Sequence, residues 1–256
     1  MGGEKVAHIY LDQESYDVDG ILFDKDGTLL DFRSLWIDWS KDIILHICSE
    51  IKIGDDQEKQ LSASIGVDWE TGNWDVKGPL AIGTTQDLIA ILAHQLYQAN
   101  IPWNTAFALV TNVFTKVNKK DSWKNRVKEV PGLIRFLKRC RNHQLKLGVV
   151  TSDDYSHAVQ HLKSLEIDSF FTAIIGGDQV TRGKPFPEAA EKACEKMGLN
   201  PRRSIVVGDS DGDMILGNNI GSKANVGIIQ ESNETDHFLH ADHLIHTYDA
   251  ISLDNS

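Results

Sequence analysis

Apolar residues follow two different periodicities along this chain. In residues 33–126 they recur at helical spacing, which predicts amphipathic helices packed on one another. From residue 127 onward, short apolar runs alternate with helical stretches, and this alternation predicts a parallel β-sheet with helices on both faces. The chain is therefore predicted to be an α/β protein with an all-helical segment inserted after its first strand.

Three segments follow from this change of pattern. Residues 1–32 hold a polar lead-in up to residue 18 and then the first strand, near residues 19–24. Residues 33–126 form the helical insert, and residues 127–256 complete the sheet. The later strands are expected near residues 145–150, 173–175, 204–207, 225–229 and 243–246.

Composition narrows the functional classes. Of the 256 residues, 41% are apolar and 25% are charged, as in ordinary globular proteins, and the net charge is −11. No nucleic-acid partner is expected, because binding to phosphate backbones depends mainly on Lys and Arg. No apolar run is long enough to cross a membrane and the first residues lack a signal-peptide pattern, so no membrane segment is expected and the cytoplasm is the predicted location.

The first strand ends in two carboxylates. The apolar residues 21–23 run directly into Asp24 and Asp26, and Gly27 allows a sharp turn at once. In an open parallel sheet, ligands bind beyond the carboxyl ends of the strands, so both acids are expected to face one crevice. Two carboxylates so close repel each other, and Mg²⁺ is the usual remedy. The alternative is an ordinary strand-to-turn junction, where Asp and Gly are common.

A second acidic group ends a later strand. The apolar residues 204–207 lead into Gly208, Asp209 and Asp213, so these carboxylates are expected at the same edge of the sheet. A calcium loop of the EF-hand type is excluded, because Leu, Gly and Asn fill the positions that lead to its required Glu. Acid-rich turns are commonly solvated caps, but two of them, each ending an apolar strand, favour one Mg²⁺ site.

Two further strand ends offer groups that bind anions. Thr151 follows Val149 and Val150, so its hydroxyl and the backbone N–H of Ser152 can donate to an anion at the mouth of the sheet. Lys184 lies between a Gly and a Pro, and a constrained ammonium near four carboxylates would balance charge and hold phosphate. The alternatives are a helix N-cap for Thr151 and an exposed side chain for Lys184.

Taken together, these motifs resemble the haloacid dehalogenase (HAD) superfamily of phosphohydrolases. The insert is similar to the cap of its phosphoglycolate phosphatase-like branch, and the resemblance covers residues 19–250. It implies a Rossmann-like sheet with the first strand in the middle, a mobile helical cap, and Mg²⁺. The motifs that carry it stand in the family's order: D-x-D-G-T with Asp24 and Asp26, the strand-end hydroxyl Thr151, K-P with Lys184, and G-D-S-x-x-D with Asp209 and Asp213.

The resemblance also implies a catalytic role for each motif. Asp24 would be the nucleophile and a metal ligand. Asp26 would be the general acid/base and would lend its backbone carbonyl to the metal. Thr151 and Ser152 would bind phosphate, and Lys184 would orient both the phosphate and the nucleophile.

The second acidic group would complete the metal site. By the same resemblance, Asp209 would ligate the metal and Asp213 would support it through water. Relatives that keep a long-lived aspartyl phosphate carry Thr at the position of Asp26, and relatives that cleave carbon–halogen bonds lack that acid. Asp at this position therefore favours a phosphatase or a phosphomutase.

The predicted function is a Mg²⁺-dependent phosphatase acting on a small phosphorylated metabolite, such as a phosphoglycolate-like compound or a sugar phosphate. A sugar phosphomutase is the first alternative, and a non-enzymatic receiver phosphorylated on Asp24 is a remote one. Substrate selectivity is expected from the insert, where Asp68, Trp69, Trp74 and Lys77 are candidates. The sequence leaves the oligomeric state open.

Overall fold

The computed structural model describes residues 7–51, 55–118, 126–229 and 235–254. The chain divides into two compact units, which we call the core unit and the inserted unit. The core unit combines the chain up to Asp31 with the chain from Lys128 onward, and the inserted unit spans Phe32–Val127. In the described ranges, no helix combines the length and apolar character needed to cross a lipid bilayer.

Among the described residues, the strands form three sheets, and the largest is the parallel sheet of the core unit. That sheet has six strands in the order β10-β9-β8-β3-β6-β7, whereas β11-β1-β2 and β4-β5 are small antiparallel sheets. In chain order the strands are β1 Ala7–Leu11, β2 Glu14–Val18, β3 Gly20–Phe23, β4 Val67–Asp68, β5 Asn73–Trp74, β6 Lys146–Val150, β7 Ala173–Ile175, β8 Ser204–Gly208, β9 Ala224–Ile228, β10 His243–Ile245 and β11 Ser252–Asp254.

Helices cover the strands in the core unit and make up most of the inserted unit. A π-helix at Arg33–Ile37 opens the inserted unit. The α-helices that follow in chain order are α1 Asp38–Ile51, α2 Asp55–Ser64, α3 Pro79–Ile82, α4 Thr85–Gln98, α5 Trp103–Val117, α6 Leu133–Asn142, α7 Tyr155–Ser164, α8 Glu188–Met197 and α9 Asp211–Ile220.

The strand β3 lies in the middle of the six-stranded sheet and is buried along its whole length. Its neighbours β6 and β8 both run parallel to it, with Phe23 opposite Val149 on one side and Val207 on the other. On one face Leu22 packs in a cluster with residues of α8 and α9, and on the other the Phe23 ring contacts that of Phe136 in α6. The predicted α/β class, with a parallel sheet between helical layers, is confirmed.

A short antiparallel sheet departs from the prediction for residues 1–18. Residues 7–18, expected to be a polar lead-in, form the hairpin of β1 and β2, and β11 adds a third strand along β1. The alternation of buried and exposed side chains is typical of a strand with one face in the core, because Ala7, Ile9 and Leu11 are buried while Tyr10 between Ile9 and Leu11 is exposed. The partner strand comes from the far end of the chain, which a local pattern does not reveal.

The inserted unit is helical around an apolar core, with one small exception. Trp39, Ile43 and Ile47 of α1 are buried, and Trp39 packs edge-on against Phe114 of α5. The two-residue strands β4 and β5 interrupt the helices at a tight turn, so the expectation of an entirely helical insert is wrong at this point. The α4 helix begins with a capping box between Thr84 and its Asp87 partner.

Candidate active site

The end of β3 brings the first acidic motif into the interior. The backbone N–H of Asp24 donates to the Val207 carbonyl at 2.9 Å, which extends the pairing with β8 and leaves the Asp24 side chain only 7% exposed. Gly27 follows with φ +80°, and a Cβ there would lie 1.8 Å from Asp209 Oδ2. Only glycine therefore allows the turn to approach the second acidic motif so closely.

The second acidic motif is fixed by the start of α9. Ser210 caps this helix, and both its backbone N–H and its hydroxyl donate to Asp213 Oδ2, at 3.2 and 2.6 Å. A Cβ at Gly208 would lie 2.3 Å from the Asp213 Cβ, so this second glycine makes room for the carboxylate. Asp213 is buried, and Asp209 approaches the turn at Gly27.

Lys184 joins the two acidic motifs. Its Nζ donates to Asp24 Oδ1 at 2.5 Å and to Asp213 Oδ1 at 2.7 Å. Burial disfavours the ammonium, but the carboxylates of Asp213 and Asp24 outweigh it and raise the pKa of Lys184 above its ordinary value. Asn219 stabilises the loop that carries Lys184, because its Nδ2 donates to the Pro185 carbonyl at 2.8 Å. The lysine predicted from sequence is thus a fixed interior cation.

Three carboxylates in this cluster exceed the charge that Lys184 can balance. Oxygens of Asp24, Asp209 and Asp213 all lie within 4.8 Å of one another. Burial, with the added repulsion of Asp213 and Asp26, raises the pKa of Asp24 to about 7 although Lys184 opposes the shift. Burial and the neighbouring Asp24 likewise raise the pKa of Asp209 well above its usual range. A divalent cation with a preference for oxygen ligands fits this donor set.

The predicted phosphate-binding residues lie at the end of β6, the neighbour of β3. Thr151 is 3% exposed, and its hydroxyl oxygen accepts the backbone N–H of Asp153 at 3.1 Å. Ser152 is half-buried beside it. Because β3 and β6 are parallel and in register, this hydroxyl group ends at the same sheet edge as the two acidic motifs.

Asp26 takes a different partner from Asp24. Its Oδ1 accepts a hydrogen bond from Lys25 Nζ at 2.6 Å, and its carboxylate is not one of the three that converge in the cluster described above. Lys25 has an exposed fraction of 0%. Burial alone would lower the pKa of Lys25, but Asp26 and Asp153 raise it above its ordinary value. Sequence reasoning gave Lys25 no role, although a lysine between two acids at the end of a buried strand was a visible signal.

The candidates in the turn between β4 and β5 are engaged within the inserted unit. Asp68 accepts hydrogen bonds from Thr71 and closes the turn itself. The ring of Trp74 stacks on Phe32 with centroids 5.0 Å apart, and the Trp69 indole donates to the Ser40 hydroxyl at 3.4 Å. Substrate selection by these residues stays a prediction.

Comparisons with known proteins place this arrangement in a family. A family model described as haloacid dehalogenase-like hydrolase matches residues 21–226, which include every residue predicted for the site. The chain belongs to this family. The resemblance inferred from the motifs is thereby confirmed at the level of the HAD-like hydrolases.

Individual relatives of this HAD-like hydrolase are distant. The phosphorylated carbohydrates phosphatase of Thermotoga maritima is 28% identical over 116 residues, which cover 45% of this chain and 54% of that protein. The pyrophosphatase PpaX of Oceanobacillus iheyensis is 26% identical over 227 residues, covering 88% and 91%. For the first curated relatives that it matches, the chain spans only about half to two thirds of their length.

A solved structure supports the same fold. The crystal structure of a HAD phosphatase from Thermococcus onnurineus superposes on this HAD-like hydrolase with a TM-score of 0.63. The superposition covers 90% of this chain and 94% of that one, at 21% sequence identity. At such low identity the likeness shows the fold alone.

Proposed function

We propose that this HAD-like hydrolase is a Mg²⁺-dependent phosphatase that hydrolyses a small phosphate monoester through an aspartyl phosphate on Asp24. The observation that carries the proposal is the convergence of the Asp24, Asp209 and Asp213 carboxylates, of which Asp24 and Asp213 are buried and pair with the ammonium of Lys184. Buried carboxylates are unfavourable unless they are paired or bind a cation. Their concentration at the carboxyl edge of the sheet therefore supports a site for chemistry.

The residues fit the metal that the family uses. Asp24 and Asp209 would ligate Mg²⁺, Asp213 would support it, and the Asp26 backbone carbonyl would add a further oxygen. All are hard oxygen donors, which Mg²⁺ prefers. When bound, the ion would neutralise negative charge on a phosphoryl group. It would also keep Asp24 ionised, against the burial that raises its pKa to about 7.

The proposed reaction has two steps. An Oδ of Asp24 attacks phosphorus, the bond from phosphorus to the ester oxygen breaks, and the leaving oxygen takes a proton from the Asp26 carboxyl. Water then attacks the aspartyl phosphate and gives a proton to Asp26. The bond from phosphorus to Asp24 breaks, which releases inorganic phosphate and restores both side chains.

Phosphate binding is assigned to the end of β6 and to Lys184. The Thr151 hydroxyl and the Ser152 backbone N–H would donate to the phosphoryl oxygens, and Lys184 would contribute a positive charge fixed by Asp213. Phosphoryl transfer depends mostly on such positioning and charge neutralisation. The fixed position of Lys184 and the burial of Thr151 support this assignment.

The substrate class is proposed from chemistry and from the relatives' names. A phosphoglycolate-like compound or a sugar phosphate is the expected monoester. One relative is described as a phosphatase of phosphorylated carbohydrates, which agrees with a sugar phosphate. Another is described as a pyrophosphatase, so inorganic pyrophosphate belongs in any substrate screen.

The decisive experiment measures phosphate release from p-nitrophenyl phosphate. Purified protein should release phosphate with Mg²⁺, stop when EDTA is added, and recover when Mg²⁺ is restored. Asp24→Asn should abolish turnover, because the amide is a poor nucleophile. The matched control Asp17→Asn changes an exposed carboxylate on β2 and should leave turnover unchanged. Full activity in Asp24→Asn would refute the proposal.

Product analysis separates the alternatives. A sugar phosphomutase would move phosphate between positions of a hexose phosphate without net release, which NMR of the products would show. A non-enzymatic receiver would accept phosphate once on Asp24 and release it slowly. The acid at Asp26 supports turnover over storage, because it can activate the water that cleaves the aspartyl phosphate.

A further inference from the structure

A second buried lysine lies beside the acidic motif that ends β3. Lys25 Nζ donates to Asp26 Oδ1 at 2.6 Å and lies 3.1 Å from Asp153 Oδ2. The side chain of Lys25 is wholly buried, and that of Asp153 is 4% exposed. Burying an ammonium is strongly unfavourable unless it is paired. Both carboxylates therefore help to hold the Lys25 ammonium in place.

The far side of Lys25 is anchored in the segment that carries the phosphate-binding residues. Asp153 follows Ser152 directly, and its backbone N–H donates to the Thr151 hydroxyl at 3.1 Å. His161, on α7, places its Nδ1 3.1 Å from Lys25 Nζ, and its own exposed fraction is 0%. The ammonium thus connects the end of β3 to the end of β6 through side chains alone.

We propose that Lys25 is a positioning residue that orients the Asp26 carboxyl group relative to the phosphate-binding segment at Thr151. The proposal rests on the proposed phosphatase function, in which Asp26 transfers the proton. Binding of one carboxyl oxygen by an immobile ammonium restricts rotation of the group about its Cβ–Cγ bond. Proton transfer requires the carboxyl within hydrogen-bond reach of the ester or water oxygen.

The arrangement parallels that of Lys184, whose side chain is 12% exposed. Lys184 connects Asp24 to Asp213, and Lys25 connects Asp26 to Asp153. Each lysine thus pairs with one acid of the D-x-D motif and with one acid from a segment that follows a neighbouring strand, Asp213 after β8 and Asp153 after β6. An ion pair that served stability alone would need no particular partner, and well-packed apolar residues often replace such pairs without loss.

A double-mutant cycle tests the proposal. Lys25→Met is made in the wild type and in Asp26→Asn, and kcat and KM are measured with p-nitrophenyl phosphate and Mg²⁺. In the wild type we expect kcat to fall roughly ten- to a hundredfold with little change in KM. In Asp26→Asn, which is itself slower by roughly 10²–10⁴, the same change should have almost no further effect. Lys146→Met, at the opposite end of β6, is the control and should keep wild-type kcat.

A second variant decides the question if Lys25→Met does not fold, as judged by far-UV circular dichroism. Asp153→Asn keeps Lys25 and Asp26 but removes the other carboxylate that holds the lysine. It should lower kcat less than Lys25→Met, and this loss should also vanish in Asp26→Asn. The free energy of unfolding, measured without metal in the same cycle, should show coupling between Lys25 and Asp26.

The outcomes separate this inference from the proposed function. If the wild type releases no phosphate, the proposed function fails and the inference fails with it. If Asp26→Asn is slow but Lys25→Met, or Asp153→Asn in its place, lowers kcat equally in both backgrounds, only the positioning role is overturned. A change confined to KM would overturn it too. Loss of kcat in the wild type alone supports it.

Discussion

The core unit and the inserted unit bury different kinds of side chain. In the core unit, charged groups are buried at the strand ends, among them Asp24, Lys25 and Asp213. In the described part of the inserted unit, the buried polar side chains are the hydroxyls of Ser40 and Ser62. Each donates to a backbone carbonyl three residues earlier in the chain, so the interior of this unit is built mainly from apolar side chains.

This difference indicates which residues contribute mainly to stability and which contribute mainly to the proposed reaction. Buried charges lower stability unless each one is paired, whereas buried apolar surface raises it. The core unit keeps such charges at one sheet edge, and that edge holds the proposed site. Substitutions there should change turnover more than folding, and substitutions in the inserted unit should do the reverse.

Among the variants that contrast the two units, Gly27→Ala in the core unit has the largest expected effect. A Cβ at this position would lie 1.8 Å from Asp209 Oδ2, so the turn or the carboxylate must move. Displacement of a reacting group by about an ångström lowers turnover roughly 10²-fold. We expect a loss of this size in Gly27→Ala when turnover is measured with p-nitrophenyl phosphate and Mg²⁺. Gly212→Ala is the matched control, because a Cβ there meets nothing closer than Ser210 Oγ at 3.5 Å. Equal turnover in the two variants would contradict the close approach.

The next effect is on the stability of the inserted unit. Ile43→Ala removes a side chain that is 1% exposed on α1, and the cavity should lower the free energy of unfolding by about 2–5 kcal/mol. Turnover per folded molecule should stay close to that of the wild type. Leu45→Ala, on the same helix but 42% exposed, should change the stability by less than about 0.5 kcal/mol. Urea denaturation measures the free energy of unfolding of both variants. Similar decreases in the two would contradict the expected difference between buried and exposed positions.

The smallest expected effect is on how the stability of the core unit depends on pH, through the contact of His157 with Asp153. A hydrogen bond to Asp153 raises the pKa of His157 above its ordinary value. Stabilisation by this contact is complete below the ordinary pKa of about 6.5 and is lost as pH rises through the raised pKa of the folded state. In the wild type, loss of this contact should lower the free energy of unfolding as the pH rises. His157→Gln should remove that part of the decrease, which urea denaturation from about pH 5 to about pH 9 would measure. Identical pH profiles would exclude the contact as a source of stability.

Much of the fold of the core unit could be predicted because its strands correspond to short apolar runs that are recognisable locally in the sequence. Apolar runs ending in acids located the ends of β3 and β8, and the parallel order brought Asp24 and Asp209 together. The strand β7 was predicted at the residues where it lies. The hairpin of β1 and β2 was missed because its third strand pairs Ile9 with Leu253, a contact between distant segments that no local window contains.

The role of Lys25 shows a different limit. Lys25 lies beyond β3, which ends at Phe23, so the alternation of side chains along a strand does not determine where it points, and its partner Asp153 follows a different strand. That partner depends on how α7 is placed, since Asp153 precedes the helix and His161 lies within it. The D-x-D motif was visible in sequence, but the three-dimensional contacts of its middle residue were not.

The junction at Asp31 and Lys128 has a consequence for how enzymes of this design diversify. The Asp31 N–H donates to the Lys128 carbonyl at 2.9 Å, and the Val130 N–H donates to the Leu29 carbonyl at 3.1 Å. The two chain ends that flank the inserted unit therefore meet within the core unit, and the entropic cost of closing the segment between them grows only slowly with its length. Segments of very different length could be exchanged at this point during evolution, while the catalytic edge of the sheet stays intact.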